Sequence, residues 1–187
     1  MKLWLVRHAR PLAAEGLCYG ATDLEAEGEA TRQAARALAA VLPAGLAVRC
    51  SPLRRCRQLA EALQALRPDL GHQLDARLRE MDFGHWEGQR WDAIGRAQFD
   101  AWTGDFARHR CGGGESVADL MERVALSLAE AREGAGEVLW VTHAGVARAV
   151  RLLACGIALP RTAAEWPTEG LAFGAWECLP LGPGKTT

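Results

Sequence analysis

The stretch LWLVRHA, residues 3–9, sets a guanidinium and an imidazole directly behind four apolar residues. A short continuous apolar run without helical spacing reads as a strand buried on both faces. A second run, VLWV at 138–141, leads through Thr142 into His143-Ala144-Gly145. In an open sheet of parallel strands, the residues just past the carboxyl ends line the crevice where ligands bind. Arg7, His8 and His143 are therefore expected at one crevice, with chemistry suited to a doubly charged phosphoryl group.

Outward from these runs, strands alternate with helices. Pro11 to Asp23 reads as a loop, marked by Pro11, Gly16 and Gly20. Glu27 to Leu42 has helical spacing and stops at Pro43, and Leu46–Cys50 is a short strand. Ser51 is expected to cap the next helix with Pro52 at its first position, the helix running to about Leu66. Residues 72–79 are weakly extended. Residues 84–114 carry Trp86, Trp91, Phe99, Trp102 and Phe106 in one or two short helices closed by Gly112–Gly114. Ser116 and Asp119 form a capping box for a helix to about Arg132. Val138–Thr142 is a strand, Ala144–Ala154 a helix and Leu171–Cys178 a final strand. The pattern predicts an α/β fold, a three-layer αβα sandwich with a mostly parallel central sheet. Residues 1–187 are expected to form a single domain, with a small helical, aromatic-rich cap insertion at about 84–114 over the sheet's edge.

Composition narrows the function classes. A chain of 187 residues with 49% hydrophobic content can bury its own core. A net charge of -1 gives no global field for nucleic acid or an anionic membrane. Of the 22 basic residues only Lys2 and Lys185 are lysines, a compositional trait that carries no functional weight. The six cysteines contain no CxxC pair and are expected to be reduced. The apolar stretch at the N-terminus is too short for a signal peptide, and nothing approaches the ~20 apolar residues of a membrane span. The expected protein is soluble and cytoplasmic, a monomer or homodimer acting on a small molecule.

Three segments share one plan, with a charged or imidazole group at a strand's carboxyl end or in the next helix's first turn. They are VRH (6–8), CSPLRR (50–55) and VTHAG (141–145). Helix N-termini favour anions through unpaired N–H groups and the positive dipole end. Arg7, Arg55 and two imidazoles complete a pocket for a phosphate dianion. His8 can serve as a covalent nucleophile through a neutral ring nitrogen, with Arg7 holding its pKa down. Phosphoryl transfer also needs a proton donor at the leaving oxygen. Glu80 is the candidate, with Asp82 and Glu87 as local rivals.

The motifs LVRHA (5–9), CSPLRRCRQLAEAL (50–63), LREMDFGHWEG (78–88), GGESVADLMERV (113–124) and VTHAGVARAV (141–150) together resemble the histidine phosphatase superfamily, of phosphoglycerate mutase-like fold. The resemblance covers nearly the whole chain. It implies His8 as the phosphorylated nucleophile, Glu80 as proton donor, and Arg7, Arg55 and His143 as phosphate ligands. It implies no metal and no other cofactor. The chain departs from many members in having Ala9-Arg10-Pro11 where Gly and Glu usually follow the histidine, and in lacking a clear counterpart of a phosphate-contacting Asn.

The loop GLCYGATD (16–23), with Pro11 three residues after His8, resembles the α-ribazole phosphatases. That resemblance implies hydrolysis of α-ribazole 5′-phosphate in cobalamin biosynthesis, with Cys18, Tyr19, Gly20 and Ala144 contacting substrate. The bland alternative makes the loop a simple turn. A broad-specificity sugar-phosphate or nucleotide phosphatase would use the same site. A phosphoglycerate mutase would usually carry a longer chain, and a non-catalytic phosphate-binding module would not need Glu80 beside two histidines. Phe83, Trp86 and Trp91 read as core, with a rim for a benzimidazole-like base as the alternative, and Glu115 as either a substrate contact or a helix-start charge.

Overall fold

The computed structural model describes residues 1–134 and 136–182. Its five-stranded sheet has the order β3-β2-β4-β1-β5. The strands are β1 (Lys2–Arg7), β2 (Ala47–Cys50), β3 (His72–Leu74), β4 (Glu137–Thr142) and β5 (Trp176–Pro180). The first four pair in parallel, while β5 runs antiparallel to β1. The helices are α1 (Gly28–Val41), α2 (Arg54–Leu66), α3 (Arg96–Gly104), α4 (Val117–Glu133) and α5 (Ala144–Ala154).

The two central strands show why the sheet must be covered twice. Successive side chains of a strand point to opposite faces. Leu3, Leu5, Val138 and Trp140 enter one core with Leu120 and Val124 of α4 and Val146 and Val150 of α5. Val6, Leu139 and Val141 enter the other, with Leu38 of α1 and Leu59 and Leu63 of α2. The result is the expected three-layer arrangement.

The register sets the site. Val6 lies opposite Val141 and Arg7 opposite Thr142 across the β1–β4 pair, so His8 and His143 leave the sheet side by side. Cys50 also lies opposite Val141, and the Ser51 N–H donates to the Val141 carbonyl at 3.0 Å, which brings the start of the α2 segment to the same edge.

Several boundaries differ from the sequence expectation. The N-cap of α2 is Leu53, not Ser51; the Ser51 hydroxyl lies 2.8 Å from His143 Nε2 and accepts from the Leu53 N–H at 3.4 Å, ahead of the helix. The last strand is shifted from 171–178 to Trp176–Pro180. Gly174 adopts φ 72°, a left-handed turn favoured by glycine, and so ends any extension of β5 towards Leu171. Residues 72–79 shorten to β3 and a single 3-10 turn, Ala76–Leu78, capped by Asp75. The capping box of α4 is present as predicted, with reciprocal Ser116 and Asp119 hydrogen bonds. Between β3 and α4 the chain forms α3 and 3-10 turns at Gly84–Trp86, Trp91–Ala93 and Cys111–Gly113. Trp86, Ile94 and Phe106 of this stretch are buried against the α4–α5 face of the sheet.

Candidate active site

His8 is 2% exposed and its ring is held at both nitrogens. Nδ1 lies 2.7 Å from the Ala9 carbonyl oxygen, which can only accept, so Nδ1 carries the proton. Arg55 Nε, which can only donate, lies 3.2 Å from Nε2, so Nε2 presents a lone pair. Burial, with the Arg55 and Arg7 charges adding to it and the Ala9 carbonyl opposing, holds the His8 pKa down to about 3. The imidazole is thus neutral at ordinary pH.

His143, the N-cap of α5, is fully buried, and its ring centroid lies 5.1 Å from that of His8 at an interplanar angle of 61°. Its Nε2 is 2.8 Å from Ser51 Oγ and 3.4 Å from Cys56 Sγ. Burial and then the Arg55 charge push its pKa well below the usual imidazole value. Arg55 is also completely buried. Its Nη1 and Nη2 donate to the carbonyls of Thr22 and Gly20 at 2.7 and 2.6 Å. Of the five guanidinium N–H groups, these bonds and the one to His8 use three, and two have no hydrogen-bond partner among the described residues.

Arg7 donates from Nη1 to the Leu171 carbonyl at 2.9 Å, and its guanidinium stacks 3.7 Å above the Phe173 ring centroid. Both partners lie on the 171–175 turn that replaces the expected strand. Arg7, Tyr19, Glu80, Ala144, Arg148 and Phe173 line a cleft of about 520 Å³.

Glu80 is held from several directions. Its Oε2 accepts from the Gly145 N–H at 3.0 Å, at the N-terminus of α5, and Oε1 from the Met81 N–H at 3.1 Å. Its backbone is anchored by Arg123 of α4, which donates to the carbonyls of Arg77, Arg79 and Glu80 at 2.7, 2.6 and 3.1 Å. A Cβ at Gly145 would come within 2.2 Å of Glu80 Oε1, so the absence of a side chain there is what admits the carboxylate.

The rival acids have other partners. Glu87 accepts from the backbone N–H groups of Ala21, Thr22 and Phe83 and from the Thr22 hydroxyl, tying the 16–23 loop to the 84–88 turn. Asp82 accepts from the Gly84 N–H at 2.8 Å. Glu115 is paired with Arg123 and accepts from the Asp82 N–H, a bracing role beyond that of a helix-start charge.

The loop residues divide. Tyr19 lines the cleft, and burial raises its phenol pKa against the Arg7 and Arg55 charges. Cys18 does not line the cleft; it is fully buried in the core with Cys111 and Trp86. Its backbone pairs with Gly88 and Gln89, a long-range contact that turns the side chain inward. Gly20 faces the site through its carbonyl, and a Cβ there would lie 1.8 Å from the Met81 carbonyl oxygen. Ser51, Arg148 and Phe173 are the site's unpredicted members. Arg148 lies one helical turn beyond Ala144, a spacing that could have marked it. Phe173 had no local signal.

Two buried neutral histidines make stability depend on pH. Their folded pKa values lie below the unfolded value of about 6.5, so the unfolded chain binds more protons as pH falls through that value. Their stabilising contribution is complete above about pH 6.5 and lost towards lower pH, with a slope approaching about 1.4 kcal/mol per pH unit for each histidine. Urea unfolding between pH 7 and pH 5 should show this loss, and His8→Leu should flatten it by about one proton. An unchanged slope in the variant would refute the assignment to His8.

A family model described as histidine phosphatase superfamily (branch 1) matches residues 3–168. Among solved structures, the chain is similar to a mycobacterial glucosyl-3-phosphoglycerate phosphatase, with 28% identity and a TM-score of 0.77 over 96% of this chain and 89% of that one. It is also similar to a phosphoglycerate mutase from Thermus thermophilus, with 32% identity and a TM-score of 0.73 over 96% and 92%. A mycobacterial hydrolase 2 matches with 28% identity and a TM-score of 0.77 over 95% and 80%. No curated protein sequence matches.

Proposed function

The chain belongs to the histidine phosphatase superfamily and is a phosphoric monoester hydrolase, and within that class we propose that it works through a phosphohistidine on His8, with Glu80 as acid and base. One observation carries the proposal. The Ala9 carbonyl fixes the proton on His8 Nδ1, so the lone pair is on Nε2, where it accepts from Arg55 Nε–H until that bond is given up for attack on phosphorus.

In the first step Nε2 forms a bond to phosphorus while the ester P–O bond breaks, and Glu80 gives its proton to the leaving oxygen. The phosphorylated ring then carries positive charge, which the Ala9 carbonyl stabilises through Nδ1–H. In the second step Glu80, now a carboxylate, takes a proton from water as the water oxygen attacks phosphorus. The P–N bond breaks and inorganic phosphate leaves. Arg7, the two free N–H groups of Arg55, His143 and the backbone at Ala144 hold the phosphoryl oxygens, neutralising charge that grows in the transition state.

The substrate we propose is α-ribazole 5′-phosphate, acted on in the cytoplasm. Its support is the GLCYGATD loop, whose Tyr19 lines the cleft beside Arg7. A second reading, a phosphorylated sugar acid, is favoured by the similarity to the glucosyl-3-phosphoglycerate phosphatase and by two further cations, Arg10 and Arg148, in the same cleft. Phosphate release from a panel of α-ribazole 5′-phosphate, glucosyl-3-phosphoglycerate, sugar phosphates and nucleotides decides between them. The first reading expects kcat/KM for α-ribazole 5′-phosphate to exceed every other member by at least roughly tenfold, a difference of about 1.4 kcal/mol in transition-state binding. A flat profile rejects it.

A further inference from the structure

A guanidinium can only donate to a phosphoryl oxygen, but a neutral imidazole donates or accepts according to which nitrogen carries its single proton. His143 is such a ring. It is fully buried, and burial with the Arg55 charge keeps it neutral at ordinary pH. With the proton on the nitrogen turned to the ligand, the ring attracts a phosphoryl oxygen. With the proton on the other nitrogen, it presents a lone pair to that oxygen and repels it. Only one tautomer of His143 serves a phosphate pocket.

The neighbours of Nε2 decide which tautomer forms. Ser51 Oγ lies 2.8 Å from it and Cys56 Sγ 3.4 Å. Ser51 is completely buried and follows β2 directly, and its N–H donates to the Val141 carbonyl, which sets it level with the end of β4. The Leu53 N–H, two positions on, donates to Oγ at 3.4 Å, a turn bond that serine hydroxyls commonly make. Oγ therefore accepts once already, and its own proton needs an acceptor, because a buried donor left without one is costly. Among the described residues, His143 Nε2 is the only nitrogen or oxygen acceptor bonded to that hydroxyl. The thiol is no substitute in either direction. The Cys56 thiol donates to the Thr142 carbonyl at 3.5 Å, and sulfur is only a weak acceptor.

We propose that Ser51 is a positioning residue that sets the tautomer of His143: its hydroxyl donates to Nε2, so that Nδ1 carries the ring proton and donates it to a phosphoryl oxygen. The proposal rests on the reading of His143 as a phosphate ligand. Nδ1 has no partner nearer than Cys56 Sγ at 3.9 Å among the described residues, so its N–H stays available at the start of α5. Both histidines of the site are then Nδ1–H tautomers, held by opposite devices. His8 is fixed by an acceptor, the Ala9 carbonyl at Nδ1, and uses its lone pair. His143 is fixed by a donor at Nε2 and uses its N–H. The 50–55 segment thus serves the pocket twice, directly through Arg55 and indirectly through Ser51.

The test reads the tautomer itself. In protein labelled with ¹⁵N-histidine, the protonated and bare nitrogens of a neutral ring resonate far apart, and the His143 signals are those that vanish in His143→Ala. Spectra are taken at neutral pH without phosphate, so that no ligand biases the ring. Wild-type His143 should be protonated at Nδ1, and protonation at Nε2 overturns the proposal. Ser51→Ala should move the ring to the Nε2–H form or to a mixture. It should also weaken inorganic phosphate binding by roughly 10- to 100-fold, with a matching fall in kcat/KM. Ser51→Thr keeps the hydroxyl and should return the Nδ1–H signature and most of the affinity, and Cys56→Ala should leave the signature in place. A Ser51→Ala protein that retains the Nδ1–H tautomer, or a Cys56→Ala protein that loses it, overturns the proposal. A merely structural serine would lower the thermal unfolding midpoint without moving the tautomer. Wild-type phosphate affinity in His143→Ala would instead count against His143 as a phosphate ligand, the reading on which the proposal rests.

Discussion

His8→Ala is expected to lower kcat by roughly 10⁵-fold or more, because it removes the atom that accepts the phosphoryl group and not merely a contact to it. The anion-binding groups remain. Arg7 is held independently by the Leu171 carbonyl and Phe173, and Arg55 by the carbonyls of Gly20 and Thr22. Inorganic phosphate should therefore still bind the variant. The wild-type protein, quenched during turnover of a ³²P-labelled substrate, should carry acid-labile, alkali-stable label that maps to His8, and His8→Ala should carry none. Imidazole added to the variant can enter the vacated space and should restore part of the phosphate release. Full activity in His8→Ala, or label on another residue, would reject the covalent mechanism.

The features that the sequence made legible share a physical origin. Arg7, His8 and His143 follow apolar runs whose period is local, and the register of β1 on β4 then forces them together. The capping box at Ser116 and Asp119 and the helix after His143 depend on neighbours in the chain, and both were readable. The misses depend on partners far away. Ser51 has every local mark of an N-cap, yet its hydroxyl serves His143, ninety-two positions on. Cys18 sits in a loop expected to contact substrate, and pairing with Gly88 and Gln89 turns it inward. Residues 171–178 read as a strand, but the turn at Gly174 breaks it and delivers Phe173 to Arg7.

The three acids show how tertiary contacts separate residues that local sequence leaves alike. Glu80, Asp82 and Glu87 lie within eight residues and share similar neighbours. Glu87 is consumed by four hydrogen bonds to backbone and hydroxyl donors, and those bonds hold the loop whose carbonyls in turn orient Arg55. Arg123 fixes the Glu80 backbone, and Gly145 leaves room for its carboxylate at the cleft. A chain of supports thus runs from α4 to Glu80, and from the 84–88 turn to the guanidinium beside His8.

Glu80→Gln should separate the two proton transfers. The amide keeps the size of the side chain, and its oxygen can still accept from the Gly145 N–H; its amino group gives up the bond from the Met81 N–H, and proton exchange is lost. Alkyl phosphates need a proton at the leaving oxygen, and their kcat should fall by roughly 10²–10⁴-fold. p-Nitrophenyl phosphate releases a weakly basic phenolate that needs little help, so phosphorylation of His8 should remain fast on that substrate. Water attack in the second step still lacks its base, so the phosphoenzyme should accumulate. Rapid mixing is expected to show a burst of p-nitrophenol equal to the enzyme concentration, followed by a slow steady rate, with label trapped on His8. The wild-type protein should show a smaller burst or none. An equal loss on both substrates, with no burst and no trapped phosphohistidine, would mean that Glu80 holds geometry without moving the proton. Glu80→Asp gives the complementary reading: it keeps the titrating group but withdraws it by one methylene, so leaving-group sensitivity should be intermediate between wild type and Glu80→Gln.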